Sequence, residues 1–143
     1  MKKSNLFLAM FFIAAVIFSA CGKTGSTART TQQKIQAKWN LQTEYDHQFY
    51  SGYNTYDTIT GVAGDYFDFR TDGKAYYKAG SNMDTATYVL SGDDKIITYS
   101  LEAGVPVTDT IFIQSLTDNS LQLYSKYYDP YPDFSEYTIY LTK

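Results

Sequence analysis

The chain has 143 residues, 15 of them tyrosine, and a formal net charge of −3. This length fits a single domain. Removal of residues 1–20, which is argued next, would lower the charge to −5 because Lys2 and Lys3 would be lost. Binding to nucleic acid depends on neutralising phosphates with basic side chains. Because this chain is acidic and has no run of basic residues, we expect no nucleic-acid partner.

The N-terminus has the pattern of an export signal. Lys2 and Lys3 form a basic start, and an unbroken apolar run of 13 residues extends from Leu6 to Phe18. A membrane-spanning helix needs about 20 apolar residues, whereas the shorter run fits the hydrophobic part of a secretory signal. We predict that residues 1–20 are a signal peptide that is removed.

The only cysteine of the chain, Cys21, directly follows the small residues Ser19 and Ala20. The segment Phe18-Ser19-Ala20-Cys21 resembles the lipobox of bacterial lipoproteins, in which the signal is cut before a diacylated cysteine. This resemblance implies fatty acylation of Cys21, for example with palmitate, and attachment to a lipid bilayer through it. More than one acyl chain is needed for a stable anchor. The alternative is an ordinary signal peptide that leaves a free cysteine.

The segment after the cysteine is polar, rich in small residues and aperiodic. Residues 22–33 (GKTGSTARTTQQ) have the composition of a flexible linker. We assign residues 21–34 to the lipidated cysteine and its tether, and residues 35–143 to the folded domain.

The folded domain has the pattern of short β-strands without helical periodicity after residue 40. In the first strand Trp39, Leu41, Thr43 and Tyr45 alternate with polar residues, as in a half-buried strand. The segment 46–57 has no period and is predicted to be a long loop, with room for one short irregular strand. The predicted strands are 38–45, 62–70, 74–79, 85–90, 95–101, 107–116, 121–128 and 136–142.

The connections between these strands are short and favour antiparallel neighbours. Thr71-Asp72-Gly73 is a typical tight turn between the second and third strands. Eight antiparallel strands can close into a barrel that leaves no exposed edge. The predicted fold class is therefore all-β, a single up-and-down eight-stranded antiparallel barrel. Its closed end is predicted to be packed by Trp39, Leu41, Phe67 and Phe69.

Four segments of the domain resemble the lipocalin-like lipoproteins of Bacteroidota. They are Ala37-Lys38-Trp39, Phe67-Asp68-Phe69-Arg70-Thr71-Asp72-Gly73, Tyr88-Val89-Leu90-Ser91-Gly92 with Lys95-Ile96, and Ile113-Gln114-Ser115-Leu116-Thr117-Asp118. The resemblance implies a closed eight-stranded barrel that binds a small apolar or amphipathic ligand. Surface lipoproteins of this phylum often carry acidic residues directly after the cysteine, and Gly22-Lys23-Thr24 carries none. The resemblance thus implies an outer-membrane anchor and a domain that faces the periplasm.

Few residues point to catalytic chemistry. His47 is the only histidine, no nucleophile signature accompanies it, and it is predicted to be a solvated loop residue. Asp129 and Asp133 flank a Pro-Tyr-Pro loop and offer oxygen ligands of the kind Ca²⁺ takes. Turn capping is their expected role, since aspartate is favoured in turns. We expect no enzyme activity, no cofactor and no metal site.

The aromatic segment after the first strand is the remaining candidate site. Tyr50, Tyr53 and Tyr56 are predicted to touch a ligand at the barrel mouth, because tyrosine offers a broad face with a polar tip. The alternative is that these rings fold back and plug the barrel. Two functions stay open. One is a carrier or sensor of a small molecule, and the other is a protein-interaction module, such as an inhibitor or an accessory subunit of an envelope complex.

Overall fold

A computed structural model of the protein describes residues 29–92, 95–102, 105–128 and 132–143. The predicted signal peptide, Cys21 and most of the predicted tether lie outside these residues. Within the described ranges, no helix has the length and apolar character needed to cross a membrane.

One short helix precedes an all-β domain. The helix α1 spans Thr31–Ile35, and Thr30 and Gln33 cap it reciprocally through side chain and backbone. The prediction that the tether extends to residue 34 therefore differs from the structure, in which helix begins at Thr31. The strands are β1 (Lys38–Tyr50), β2 (Tyr53–Thr60), β3 (Tyr66–Phe69), β4 (Lys74–Ala79), β5 (Asn82–Leu90), β6 (Lys95–Glu102), β7 (Val105–Leu116), β8 (Ser120–Tyr128) and β9 (Phe134–Thr142).

Eight of these strands form a closed antiparallel barrel. Each strand from β3 to β9 pairs with the next, and β1 closes the ring by pairing with both β9 and β3. The predicted up-and-down eight-stranded barrel is confirmed. In the described part of the chain β2 lies outside the ring and pairs with β1 alone.

The segment 46–57 is a hairpin and not the predicted loop. β1 continues to Tyr50, and β2 pairs with it from Tyr53 to Thr60. The alternation of apolar and polar residues does not reveal this longer strand, because a register shift between Leu41 and Thr43 moves the side chains that follow to the opposite face. Beyond this bulge Glu44 and Asp46 face the barrel interior, where simple alternation predicts Thr43 and Tyr45.

β3 begins later than predicted because a tight turn comes first. The Asp65 carboxylate accepts hydrogen bonds from the backbone N–H of Val62 at 3.0 Å and of Gly80 at 2.8 Å. These two bonds hold the pKa of Asp65 below its ordinary value. The turn therefore occupies residues that the sequence pattern assigns to the strand.

The predicted turn after β3 is present. Gly73 has a φ of +79°, which suits glycine, and the Asp72 Oδ1 accepts from the Lys74 N–H at 3.0 Å. The β3–β4 hairpin places Phe67 beside Tyr77 and Phe69 beside Ala75.

One end of the barrel is closed by packed apolar side chains. Of the residues predicted for this floor, Trp39, Leu41 and Phe69 are buried, and Phe67 is partly buried against them. Ile35 of α1 is fully buried beneath Trp39, so the helix covers this end. The other buried members of the cluster are Tyr88, Ile96, Leu121, Leu123 and Leu141.

Candidate ligand cavity

The barrel encloses a cavity of about 650 Å³ on the other side of this floor. This volume lies within the range of roughly 300–1,000 Å³ that small-molecule sites occupy. All eight barrel strands contribute lining residues. The barrel is therefore not filled by its own side chains.

Two small side chains make room for the cavity. Ala75 of β4 and Ala86 of β5 are direct cross-strand partners, and both line the space. Phe67, Phe69 and Ile139 line it on the floor side. The part of the cavity wall next to the floor, called the lower wall, is therefore apolar.

The upper wall is acidic and tyrosine-rich. Glu44 of β1, Asp84 of β5 and Asp109 of β7 line the cavity together with Tyr77 and Tyr137. Among the described lining residues there is no lysine, arginine or histidine. The cavity thus combines an apolar floor with a negatively charged upper part.

Glu44 is the central charged group of this wall. Burial and the neighbouring Asp46 carboxylate raise the pKa of Glu44, and a hydrogen bond from the Tyr77 hydroxyl opposes the rise. Burial and the Glu44 charge raise the pKa of Tyr77 to about 12, so this hydroxyl stays protonated and donates. Burial, followed by Asp46, also raises the pKa of Tyr137.

The neighbouring carboxylates of Glu44 and Asp46 each have one oxygen without a hydrogen-bond partner among the described residues. These oxygens are Oε2 of Glu44 and Oδ1 of Asp46, and both are buried. Asp46 pairs across strands with Tyr137, which lines the cavity, so both carboxylates lie on the inner face of the sheet.

The barrel wall is incomplete between β5 and β6. β5 pairs with β6 only from Thr87 to Leu90, although β5 begins at Asn82. A second space of about 440 Å³ lies at this gap, and Thr85, Ala86 and Val107 line both spaces. The gap offers a side entrance to the cavity, with Lys74 at its edge.

The three predicted ligand-contacting tyrosines lie on the β1–β2 hairpin, at Tyr50, Tyr53 and Tyr56. Their side chains are 68%, 78% and 71% exposed, so they do not plug the barrel. None of them is among the residues that line the cavity. Contact with a ligand in the cavity would require the hairpin to move, and their assignment as ligand residues stays a prediction.

His47 lies in a strand and not in a solvated loop as predicted. Its Nδ1 lies 2.7 Å from Oε1 of Glu136 on β9, and its Nε2 lies 2.8 Å from Oδ1 of Asn54 on β2. The ring stacks on Tyr56 with centroids 4.3 Å apart. Hydrogen bonds to Asn54 and Glu136 raise the pKa of His47. The histidine therefore fastens β2 to the barrel on its outer face.

Asp133 has the predicted turn-capping contact. Its Oδ1 accepts from the backbone N–H of Ser51 at 3.0 Å, which joins the β1–β2 turn to the start of β9. Asp129 lies outside the described residues. No group of three or more His, Cys, Asp or Glu side chains suited to a metal ion occurs in the described ranges.

Sequence reasoning missed Glu44, Tyr77 and Asp109 as site residues. Two other lining residues, Asp84 and Thr98, are polar residues at inward-facing positions of their strands. A polar residue on an otherwise apolar face was a signal in the sequence that could have indicated a polar cavity wall. Glu44 had no such signal, because the β1 bulge moves it to the inner face.

Comparison with known proteins agrees with this architecture. A family model described as a lipocalin-like domain matches residues 35–123. No curated protein and no solved structure matches the chain. The family match spans well over half of the chain and covers the floor, the hairpins and most of the cavity wall, and the chain therefore belongs to the lipocalin-like domain family.

Proposed function

We propose that this protein is a non-enzymatic carrier or sensor that binds a small amphipathic molecule inside its barrel, and that it does so while anchored in the cell envelope. The observation that carries the binding role is the cavity of about 650 Å³ above an apolar floor. Membership of the lipocalin-like family supports the same role. An amphipathic guest fits because one wall is apolar and the other is polar.

Native mass spectrometry of protein purified from its host tests the binding role. We expect a species heavier than the polypeptide with its acyl groups by the mass of one small molecule. Organic extraction should release that molecule and leave the unliganded mass. Protein that carries no such molecule, and that binds no amphiphile added in solution, would contradict a carrier.

The anchor is the second part of the proposal. It rests on Lys2-Lys3, the apolar run from Leu6 to Phe18, and Ser19-Ala20 before Cys21. Growth with an alkyne-tagged palmitate should label the wild-type protein and leave Cys21→Ser unlabelled, with Ser19→Ala as a labelled control. Fractionation and protease shaving of whole cells should place the wild-type protein in the outer membrane facing the periplasm. An unlabelled wild-type protein would leave Cys21 a free thiol.

A second candidate function is supported by the exposed tyrosines of the β1–β2 hairpin. Their exposed rings resemble the aromatic-rich contact surfaces of protein partners. A photo-crosslinking amino acid at position 53 would capture an envelope partner in living cells. A crosslinked protein that disappears when Tyr50 and Tyr56 are changed to Ser would favour an interaction module.

A further inference from the structure

The charges of the barrel are segregated between its two faces. Three of the described basic side chains have partners outside the cavity. Arg70 pairs with Asp68 at 2.8 Å, Lys126 with Glu136 at 3.3 Å, and the Lys38 ammonium lies 3.9 Å from the centre of the Tyr66 ring. Inside, the described lining includes three carboxylates and no basic side chain.

This interior lacks a counter-charge for its carboxylates. One buried oxygen of each carboxylate, Oε2 of Glu44 and Oδ1 of Asp46, has no donor among the described residues. A buried acceptor without a donor is costly, and a buried charge without a partner more so. A ligand that brings a positive charge and N–H donors would relieve both costs, whereas a carboxylate would add a third negative charge beside them.

The tyrosine rings of the upper cavity wall also favour a positively charged ligand. The rings of Tyr77, Tyr137 and Tyr127 line the upper cavity. Aromatic faces attract ammonium groups, and the attraction strengthens when water is excluded. The apolar floor at Phe67 and Phe69 then suits the tail of the same molecule.

We propose that the cavity selects amphiphiles with a cationic ammonium head, which lies between Glu44, Asp46 and the tyrosine rings while the apolar tail points to the floor. This inference rests on the proposed ligand-binding function and names its ligand class. It runs against fatty acids as ligands. A basic residue, Lys74, lines the second space at the side entrance.

Three probes of equal tail length test the head-group preference. They are dodecylammonium, dodecanoate and dodecanol, each kept below its micelle concentration. Titration calorimetry uses the whole predicted mature chain, residues 21–143, with Cys21→Ser. We expect the ammonium probe to bind about tenfold tighter than dodecanol or more, the ratio given by one close charge pair in a partly dry site, and dodecanoate to bind weakest.

Two isosteric variants locate the recognition. Glu44→Gln and Asp46→Asn should each lower the affinity for the ammonium probe several-fold and leave dodecanol binding unchanged, which also shows that the variants are folded. Asp118→Asn is the matched control, because Asp118 lies in the exposed β7–β8 turn in an ion pair with Arg29. It should change none of the three affinities.

The outcomes separate this inference from the function on which it rests. Dodecanoate binding as tightly as the ammonium probe, through Lys74 or otherwise, would overturn the cationic preference and leave the carrier function standing. An unchanged ammonium affinity in both cavity variants would also overturn it. If none of the three probes binds, the carrier function itself fails and the inference fails with it.

Discussion

The Nε1–H group of Trp39 donates a hydrogen bond of 2.9 Å to the carbonyl oxygen of Ile35, and neither residue is exposed to solvent. The bond joins α1 to the first barrel strand. It satisfies the polar atom of a buried indole and a carbonyl near the end of a five-residue helix. The helix and the floor are therefore one packing unit.

We predict a graded loss of stability when this unit is disturbed. Trp39→Ala should lower the free energy of unfolding by about 3–5 kcal/mol, because it removes buried surface and leaves a cavity. Trp39→Phe keeps much of the apolar contact but loses the indole hydrogen bond to the Ile35 carbonyl, which still accepts from the Ala37 N–H at 2.7 Å, and should cost about 1–2 kcal/mol for the lost bond and the smaller ring. Denaturant unfolding of both variants measures the difference. Equal, small losses below about 1 kcal/mol would show that the floor does not depend on the indole.

Gly61 is predicted to tolerate no side chain. A Cβ atom at this position would collide with the carbonyl oxygen of Leu41, beside the bulge in β1. Gly61→Ala should destabilise the protein by about 1–3 kcal/mol, since the backbone must shift to make room. The neighbouring Val62→Ala is the control, because Val62 is exposed. Similar unfolding curves for the two variants would argue against a close contact at the bulge.

The single histidine gives a pH prediction for the β1–β2 hairpin. His47 faces Asn54 of β2, Glu136 of β9 and, more distantly, Lys126 of β8, and its folded pKa is raised above the ordinary 6.5. A raised pKa means that its stabilising contribution is present below about 6.5 and is lost as the pH rises through the folded value. The pKa of Glu136 is lowered from 4.5, so its contribution is lost as the pH falls through that lower value.

NMR titration of the His47 ring and melting curves at several pH values test this prediction. The titration should give a pKa above 6.5. The melting temperature of the wild-type protein should fall as the pH rises from about 6.5 to that pKa and level off above it, and in His47→Gln this fall should be absent. A ring that titrates at or below 6.5 would show that the contacts with Glu136 and Asn54 do not hold the charged form in solution.

Filling the cavity should abolish ligand binding without unfolding the barrel. In Ala86→Phe the ring enters the barrel cavity that Ala86 lines, and the free energy of unfolding should change by less than about 1 kcal/mol because no packed core is displaced. Val89→Phe places the same ring on the outer face, where Val89 is about half exposed, and should leave binding intact. Calorimetry with dodecanol compares the two. Undiminished binding in Ala86→Phe would place the site elsewhere.

The sequence alone determined the number and order of the barrel strands and part of the floor. Alternation of apolar and polar residues placed Trp39, Leu41 and Phe69 on one face, and these residues are buried, because the pleat of a strand turns period-2 patterning directly into burial. The turn at Thr71-Asp72-Gly73 was readable for an equally local reason, since positive φ and the aspartate cap are properties of those residues themselves.

Only the tertiary structure decided where the cavity lies and what lines it. The β1 bulge exchanges the two faces beyond Leu41, so Glu44 and Asp46 face inward while Tyr45 between them is half exposed. Periodicity assigns faces only while the register is unbroken, and a bulge is fixed by pairing with β9, far away along the chain. The position of His47 depends in the same way on Glu136, which lies 89 residues later. Ala75 and Ala86 leave space only because β4 and β5 pair in the register that sets them side by side.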